Sequence, residues 1–211
     1  ALEPAQRRAS ELMIRELDRF EALLTDLLEI SRHDAGVADL ASAMMDVRAP
    51  IESAWAQTQH LAEELDVEVS FDLPDAPVQI EGDPRRIERI VRNLIANAID
   101  HSEGNPVHVA LAQNDEAVAV TVTDSGVGLK PGQEELVFNR FWRADKSRKR
   151  HSGGTGLGLA IAREDAQLHH GILDAAGVSG VGSQFRLVLP RHPDEGFRHA
   201  PVELNPPGAV A

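Results

Sequence analysis

The 211-residue chain contains no cysteine, which excludes disulfide frameworks, thiol nucleophiles and cysteine-ligated zinc and fits a reducing compartment. It has no apolar run near the ~18 residues that span a bilayer, and its first residues carry no signal-peptide pattern. A soluble chain without membrane contact of its own is expected. Internal repeats and low-complexity tracts are absent too. Basic residues are in deficit, 21 Lys+Arg against 34 Asp+Glu for a formal net charge of −13, so a nucleic-acid footprint spread over the surface is not expected. What is present, 42% apolar and 26% charged residues, is the composition of a globular protein with a sizeable core, in one domain or two.

Nothing breaks a helix from 5 to 35, where Met13, Leu17, Phe20, Leu24 and Leu27 recur at spacings of four and three. This heptad-like stripe asks for partner helices, and Gly36 supplies the stop. Residues 50–65 read as a second helix, and 67–73, with Val67, Val69 and Phe71 alternating, as a strand. Asp83-Pro84 then places an N-cap residue before a proline at the first helical position, and Ile87, Ile90, Val91, Leu94, Ile95 and Ala98 mark one face of the helix that follows. Residues 107–112 and 117–123 read as a strand pair, 155–169 as a helix opened by glycines, and 171–176 with 184–189 as a closing strand pair. Beyond Pro190, Pro193, Pro201, Pro206 and Pro207 with little apolar content predict a mostly disordered tail over 191–211. The expected architecture is a long N-terminal α-helix (1–38) followed by a two-layer α/β sandwich (39–190).

Three clusters carry chemistry jointly. Asn93 and Asn97 stand one turn apart, so both side chains leave one helix face and can share a ligand or a hydrated cation; alone, such a pair is more often solvated. Asp124-Ser125-Gly126-Val127-Gly128 ends the strand at 117–123. A carboxylate there, beside glycines that let backbone approach a flat ligand, suits an amino-substituted ring, although a capped turn is the simpler reading of that segment alone. Gly153-Gly154-Thr155-Gly156-Leu157-Gly158-Leu159 opens a helix, where successive amides and the helix dipole face an anion. It is not a Walker loop, since no lysine followed by Ser or Thr ends it, and Leu159 stands where a dinucleotide fingerprint needs its last glycine. Just before it lie Arg140, Arg143, Lys146, Arg148, Lys149 and Arg150 against Asp145, a local net +5 that favours a polyphosphate over a merely solvated loop.

Asn93 and Asn97 resemble the N box, 124–128 the first glycine box, Phe138-Asn139-Arg140-Phe141 the F box and 154–159 the second glycine box of sensor histidine kinases, in the family's order and spacing. Gly180-Val181-Gly182-Ser183-Gln184-Phe185 resembles the family's closing glycine-containing segment, so the likeness covers 46–190. The helix up to Gly36 is similar to the second helix of the dimerisation and phosphotransfer domain, and 17–36, 93–101 and Phe141-Trp142-Arg143 are especially similar to actinobacterial members. The resemblance implies the Bergerat (GHKL) ATP-binding sandwich shared with gyrase, Hsp90 and MutL ATPases. In that fold Asp124, supported by Gly126, Gly128 and Ser183, would accept a hydrogen bond from the adenine amino group. Asn93 and Asn97 would hold Mg²⁺ against the phosphates of ATP, and His101 and Phe141 would border the nucleotide. The basic loop would be a lid, with Gly154, Thr155, Gly156, Leu157 and Gly158 presenting backbone amides, and Arg148 and Arg150 presenting cations, to the triphosphate.

By the same resemblance, ATP-hydrolysing relatives carry a glutamate where this chain has Asn93, and an amide cannot act as the base that activates water. Transfer of the γ-phosphoryl group to a histidine is therefore expected rather than hydrolysis. The family's phosphorylated histidine precedes an acidic residue, with a proline a few residues on, and none of the nine histidines fits; the acceptor is expected outside this chain. His33-Asp34 matches only superficially, and His169-His170 reads as a helix terminus suited to imidazolium. The implied relay runs to a response regulator receiver domain from a homodimeric full-length protein anchored in the cell membrane, with this part cytoplasmic. Two alternatives stay open: a hydrolytic ATPase of the same fold, and a nucleotide-sensing or scaffolding module without catalysis, for which Asp100, standing where the family directs a lysine or arginine at the phosphates, is the sequence hint.

Overall fold

A computed structural model of the chain describes residues 4–36, 39–144 and 155–209. It divides into two units, Ala1–Ala38 and Asp39–Ala211. In the first, α1 (Pro4–Asp34) is 31 residues long, about 46 Å at 1.5 Å per residue. Met13, Leu17, Phe20, Leu24 and Leu27 are exposed along it. Gly36 adopts a φ of +64° just past its end and donates to the His33 carbonyl at 2.9 Å, the left-handed C-terminal stop that a side chain would resist.

The second unit runs β1 (Ala43–Asp46), α2 (Arg48–Glu64), β2 (Val69–Asp72), β3 (Gln79–Gly82), α3 (Pro84–His101), β4 (Val107–Gln113), β5 (Ala117–Asp124), α4 (Gln133–Leu136), α5 (Gly158–Leu168), β6 (Ile172–Val178) and β7 (Gly182–Pro190). The main sheet has the order β2-β4-β5-β7-β6; β2 lies parallel to β4 and the other pairs are antiparallel. Its inner face, built from Val109, Val120, Val122, Phe185 and Leu187 among others, shares one buried core with Ile51 and Leu61 of α2 and the apolar face of α3. This is the expected α/β sandwich. β1 and β3 pair in a separate two-stranded ladder that periodicity did not reveal, because each has four residues and one buried large apolar side chain, Met45 or Ile80.

Helix α3 forms as its sequence dictates. Asp83 is extended (φ −92°, ψ 109°) and its carboxylate accepts from the Arg85 and Arg86 amides at 3.0 and 3.4 Å, with Pro84 at the first helical position. Ile87, Ile90, Val91, Leu94, Ile95, Ala98 and Ile99 are all buried. The polar stripe beside that face meets α5: Arg86 and Arg89 both bind the fully buried Asp165 at 2.8 Å. Asn93 Nδ2 donates to the Gly158 carbonyl oxygen at 2.9 Å. Early residues of α3 thus face late residues of α5, and the two helices run antiparallel. α5 starts at Gly158, three residues later than the sequence predicted.

Two sequence expectations are corrected here. His169, at the C-terminal end of α5, is 2% exposed and not an imidazolium. The Asp83 amide donates to its Nε2 at 3.0 Å, its Nδ1–H faces the Asp165 carbonyl at 2.7 Å, and burial pushes its pKa down. The tail after Pro190 is not a disordered segment over its described residues, 191–209. Arg191 is held by the Asn114 and Gln79 carbonyls at 2.9 and 3.0 Å, and Phe197, Ala200 and Val202 pack on Ala117, Ala119 and Val188. The physical reason is the sheet: β5 and β7 carry apolar residues on their outer face as well, and the tail removes that surface from water.

Candidate functional site

The last strand residue of β5 is a carboxylate, Asp124, 1% exposed and paired in register with Ser183 of β7. Ser183 Oγ donates to Asp124 Oδ2, and the Gly126 amide donates to Oδ1 at 3.0 Å. Burial pushes the Asp124 pKa up, opposed by the hydrogen bonds from Ser183 and from the Gly126 amide. A buried carboxylate already fixed by two donors is an oriented acceptor for a further one.

The glycines of this segment are required by the protein's own backbone. A Cβ on Gly126 would lie 1.9 Å from the His101 carbonyl oxygen, and one on Gly128, at φ +63°, would lie 1.9 Å from the Val178 carbonyl oxygen. Val127 adds a hydrogen bond from its amide to the His101 carbonyl at 3.2 Å, and the Gly180 amide donates to the Val127 carbonyl at 2.8 Å. The 125–128 turn is therefore wedged between the end of α3 and the β6–β7 hairpin.

Asn93, Asn97 and His101 follow one another at four-residue intervals along α3, a stripe about 12 Å long. At one end Asn93 binds the start of α5; at the other the His101 carbonyl receives the turn that follows Asp124. The Asn97 side chain, half-buried between them, makes no hydrogen bond to a described residue. Among the described residues the start of α5 has no side-chain cap beyond Thr155 Oγ1, which accepts from the Leu157 amide at 3.2 Å, and Leu157 itself is buried as an apolar anchor. The first-turn amides of a helix have no partner within the helix itself.

The F-box segment closes on the same glycines. Phe141, at φ +62° and 59% exposed, donates its amide to the Gly156 carbonyl at 2.9 Å, and a Cβ on Gly156, at φ +77°, would sit a tight 3.1 Å from Phe141 Cα. Phe138 anchors that segment in the core, edge-on to Phe185. Arg140, counted in the basic cluster, pairs with Glu164 of α5 at 2.8 Å. Arg148, Arg150 and Gly154 lie outside the described residues. Asp165 and its two arginines, which hold α5 against α3, escaped sequence reading because a single carboxylate within a polar run reads as solvated surface.

A family model described as Histidine kinase-, DNA gyrase B-, and HSP90-like ATPase matches residues 82–193, more than half of the chain. The chain belongs to this family. Within it, the sensor histidine kinase MtrB of Mycolicibacterium paratuberculosis is 57% identical over 205 residues, 97% of this chain and 36% of MtrB. The chain thus spans about a third of the length of that curated relative. Among solved structures, the mycobacterial sensor histidine kinase MprB matches 72% of this chain and 99% of its own at 29% identity and a TM-score of 0.62. Full-length ShkA in complex with AMPPNP matches 96% of this chain and 41% of its own at a TM-score of 0.77 and 24% identity, a likeness of fold.

Proposed function

We propose that this chain is the Mg·ATP-binding catalytic part of a membrane-anchored sensor histidine kinase, transferring the γ-phosphoryl group to a histidine outside this chain for relay to a response regulator receiver domain. The observation that carries the reading is the buried, doubly hydrogen-bonded Asp124 at one end of the α3 stripe, with the glycine-rich start of α5 at the other. Asp124 accepts from the adenine amino group, while the α5 amides with Gly156 and Gly158 receive phosphate oxygens. His101 and Phe141 border the nucleotide, and Arg148 and Arg150 supply cations to its phosphates.

No group of three His, Cys, Asp or Glu among the described residues could hold a metal by itself. Asn93 and Asn97 offer amide oxygens one turn apart, the hard donors that suit Mg²⁺ when substrate phosphates complete its shell. Bound there, the ion neutralises phosphate charge. The chain's residues contribute orientation, which together with charge neutralisation accounts for most catalysis of phosphoryl transfer. Asn93, whose amide is engaged by the Gly158 carbonyl, is no general base, and this supports transfer over hydrolysis.

Among the described residues no helix is long and apolar enough to cross a membrane. The anchor, the homodimer and the cytoplasmic placement of this part belong to the proposal for the whole protein. Calorimetric titration with a non-hydrolysable ATP analogue, with and without Mg²⁺, tests the reading. Binding that depends on Mg²⁺, without label transfer from γ-labelled ATP to this chain, is the expected result; rapid labelling of the chain itself overturns the placement of the acceptor elsewhere.

A further inference from the structure

The C-terminal segment 197–208 does more than cover apolar surface. It runs back along the outer face of β5 and β7, from the end of the sheet at Pro190 to the end that carries Asp124 and Ser183. Phe197, Ala200 and Val202 sit over Ala117, Ala119 and Val188. Arg186 Nη1 then donates to the Val202 carbonyl at 2.6 Å, and the Asn205 amide donates to Gln184 Oε1 at 2.7 Å. Pro207 and Gly208 close against Gly182 and Val181.

Side-chain alternation makes this last contact specific. Asp124 and Ser183 face each other on the inner side of the β5–β7 ladder; one rung on, Thr123 and Gln184 face outward. Gln184 uses both ends of its amide: Nε2 donates to Thr123 Oγ1 at 3.0 Å, and Oε1 receives the tail. Gly182 has no room for a side chain, since a Cβ there would lie 2.2 Å from the Asp124 carbonyl oxygen and 3.0 Å from Pro207 Cγ. The terminal rungs of a ladder fray most readily, and this terminal rung holds the carboxylate on which base recognition depends.

We propose that segment 197–208, acting through Gln184 and Gly182, is a positioning element for the nucleotide site: it fixes the spacing of β5 and β7 beside the Asp124–Ser183 pair and thereby the aim of the carboxylate. The proposal rests on the reading of Asp124 as the group that recognises adenine. A fully satisfied polar network holds its members in one geometry, and loss of one partner releases the others. The effect falls on the base-recognising end of the cleft and leaves the phosphate end, built from α3 and the start of α5, unchanged.

The test is calorimetric titration, well below the unfolding temperature, of the intact chain, a chain ending after His192, and the full-length Gln184→Ala variant. The probes are a non-hydrolysable ATP analogue with Mg²⁺, ADP, and inorganic tripolyphosphate, which lacks the base. Both variants are expected to bind the two nucleotides about five- to tenfold more weakly, the loss of roughly one oriented hydrogen bond, with tripolyphosphate affinity and Mg²⁺ dependence unchanged. Should the shortened chain fail to fold by circular dichroism, Gln184→Ala decides. Nucleotide affinity unchanged in folded variants, or a loss shared equally by tripolyphosphate, overturns the positioning role while leaving the nucleotide site standing. Failure of the intact chain to bind either nucleotide overturns the site reading and this inference with it.

Discussion

Asp124 is a charge held where charge is expensive. Its pKa is pushed up from 3.8 by burial, so on acidification it becomes protonated in the folded chain before it does in the unfolded one. The cost of burying the charge is present above the folded pKa and is relieved as the pH falls through it. Two outcomes follow from this sign. Nucleotide affinity falls on mild acidification, ahead of the titration of an ordinary aspartate, in a binding series run from pH 7 downward. Asp124→Asn keeps a thermal unfolding midpoint at or above that of the parent at pH 7 but binds the ATP analogue about ten- to a hundredfold more weakly, the loss of a charged acceptor. Gly126 contributes its lack of a side chain as well as its amide: Gly126→Ala drives a methyl group to 1.9 Å from the His101 carbonyl oxygen, and denaturant titration is expected to show a loss of about 1–3 kcal/mol or more.

Among elements, the antiparallel contact of α3 and α5 decides where the asparagines and the glycine-rich start meet. Asp165, with no exposed surface, binds Arg86 and Arg89 on α3. Asp165→Ala removes the carboxylate that Arg86 and Arg89 share, Arg86 keeping Asp83 at 3.7 Å, and a stability loss of about 3–5 kcal/mol is expected from chemical denaturation. His169 ties the same end of α5 to the N-cap of α3 as a neutral ring, facing Asp83, Asp165, Arg86 and the Asp83 amide. Because its folded pKa lies below 6.5, its contribution to stability is full above pH 6.5 and is lost as the pH falls through the lowered folded value. Melting temperatures measured down from pH 7.5 should decline through that window, and His169→Gln should flatten the decline. Helix α3 was legible because its cap, its proline and its apolar face are local in sequence. Its partner Asp165 was not, since the contact joins residues 76 to 79 positions apart.

At the scale of the molecule, the whole sheet core lies in residues 39–211, and α1 forms a separate unit. A chain of residues 39–211 is therefore expected to bind the ATP analogue with unchanged affinity. The exposed stripe of Met13, Leu17, Phe20, Leu24 and Leu27 is expected to make the longer chain associate at rising concentration, as measured by sedimentation equilibrium; Leu17→Glu with Phe20→Glu should abolish that association.

The order of the long helices and of the main-sheet strands, the capped helix that carries Asn93 and Asn97, the strand that ends in Asp124 and the glycine-rich approach to α5 were determined by the sequence by itself; the short β1, β3 and α4 were not. Periodicity, caps and turn residues act over a few positions, and the boxes stand in a recognisable order. Only the tertiary structure decided that Gly126 and Gly128 serve the protein's own backbone, that Asp165 and a neutral His169 bind α5 to α3, and that residues 197–208 lie along the outer sheet. Each of these depends on groups distant along the chain that exclude water together. A polar, proline-rich tail becomes ordered when an apolar strand face, specified some eighty residues earlier, has nothing else to cover it.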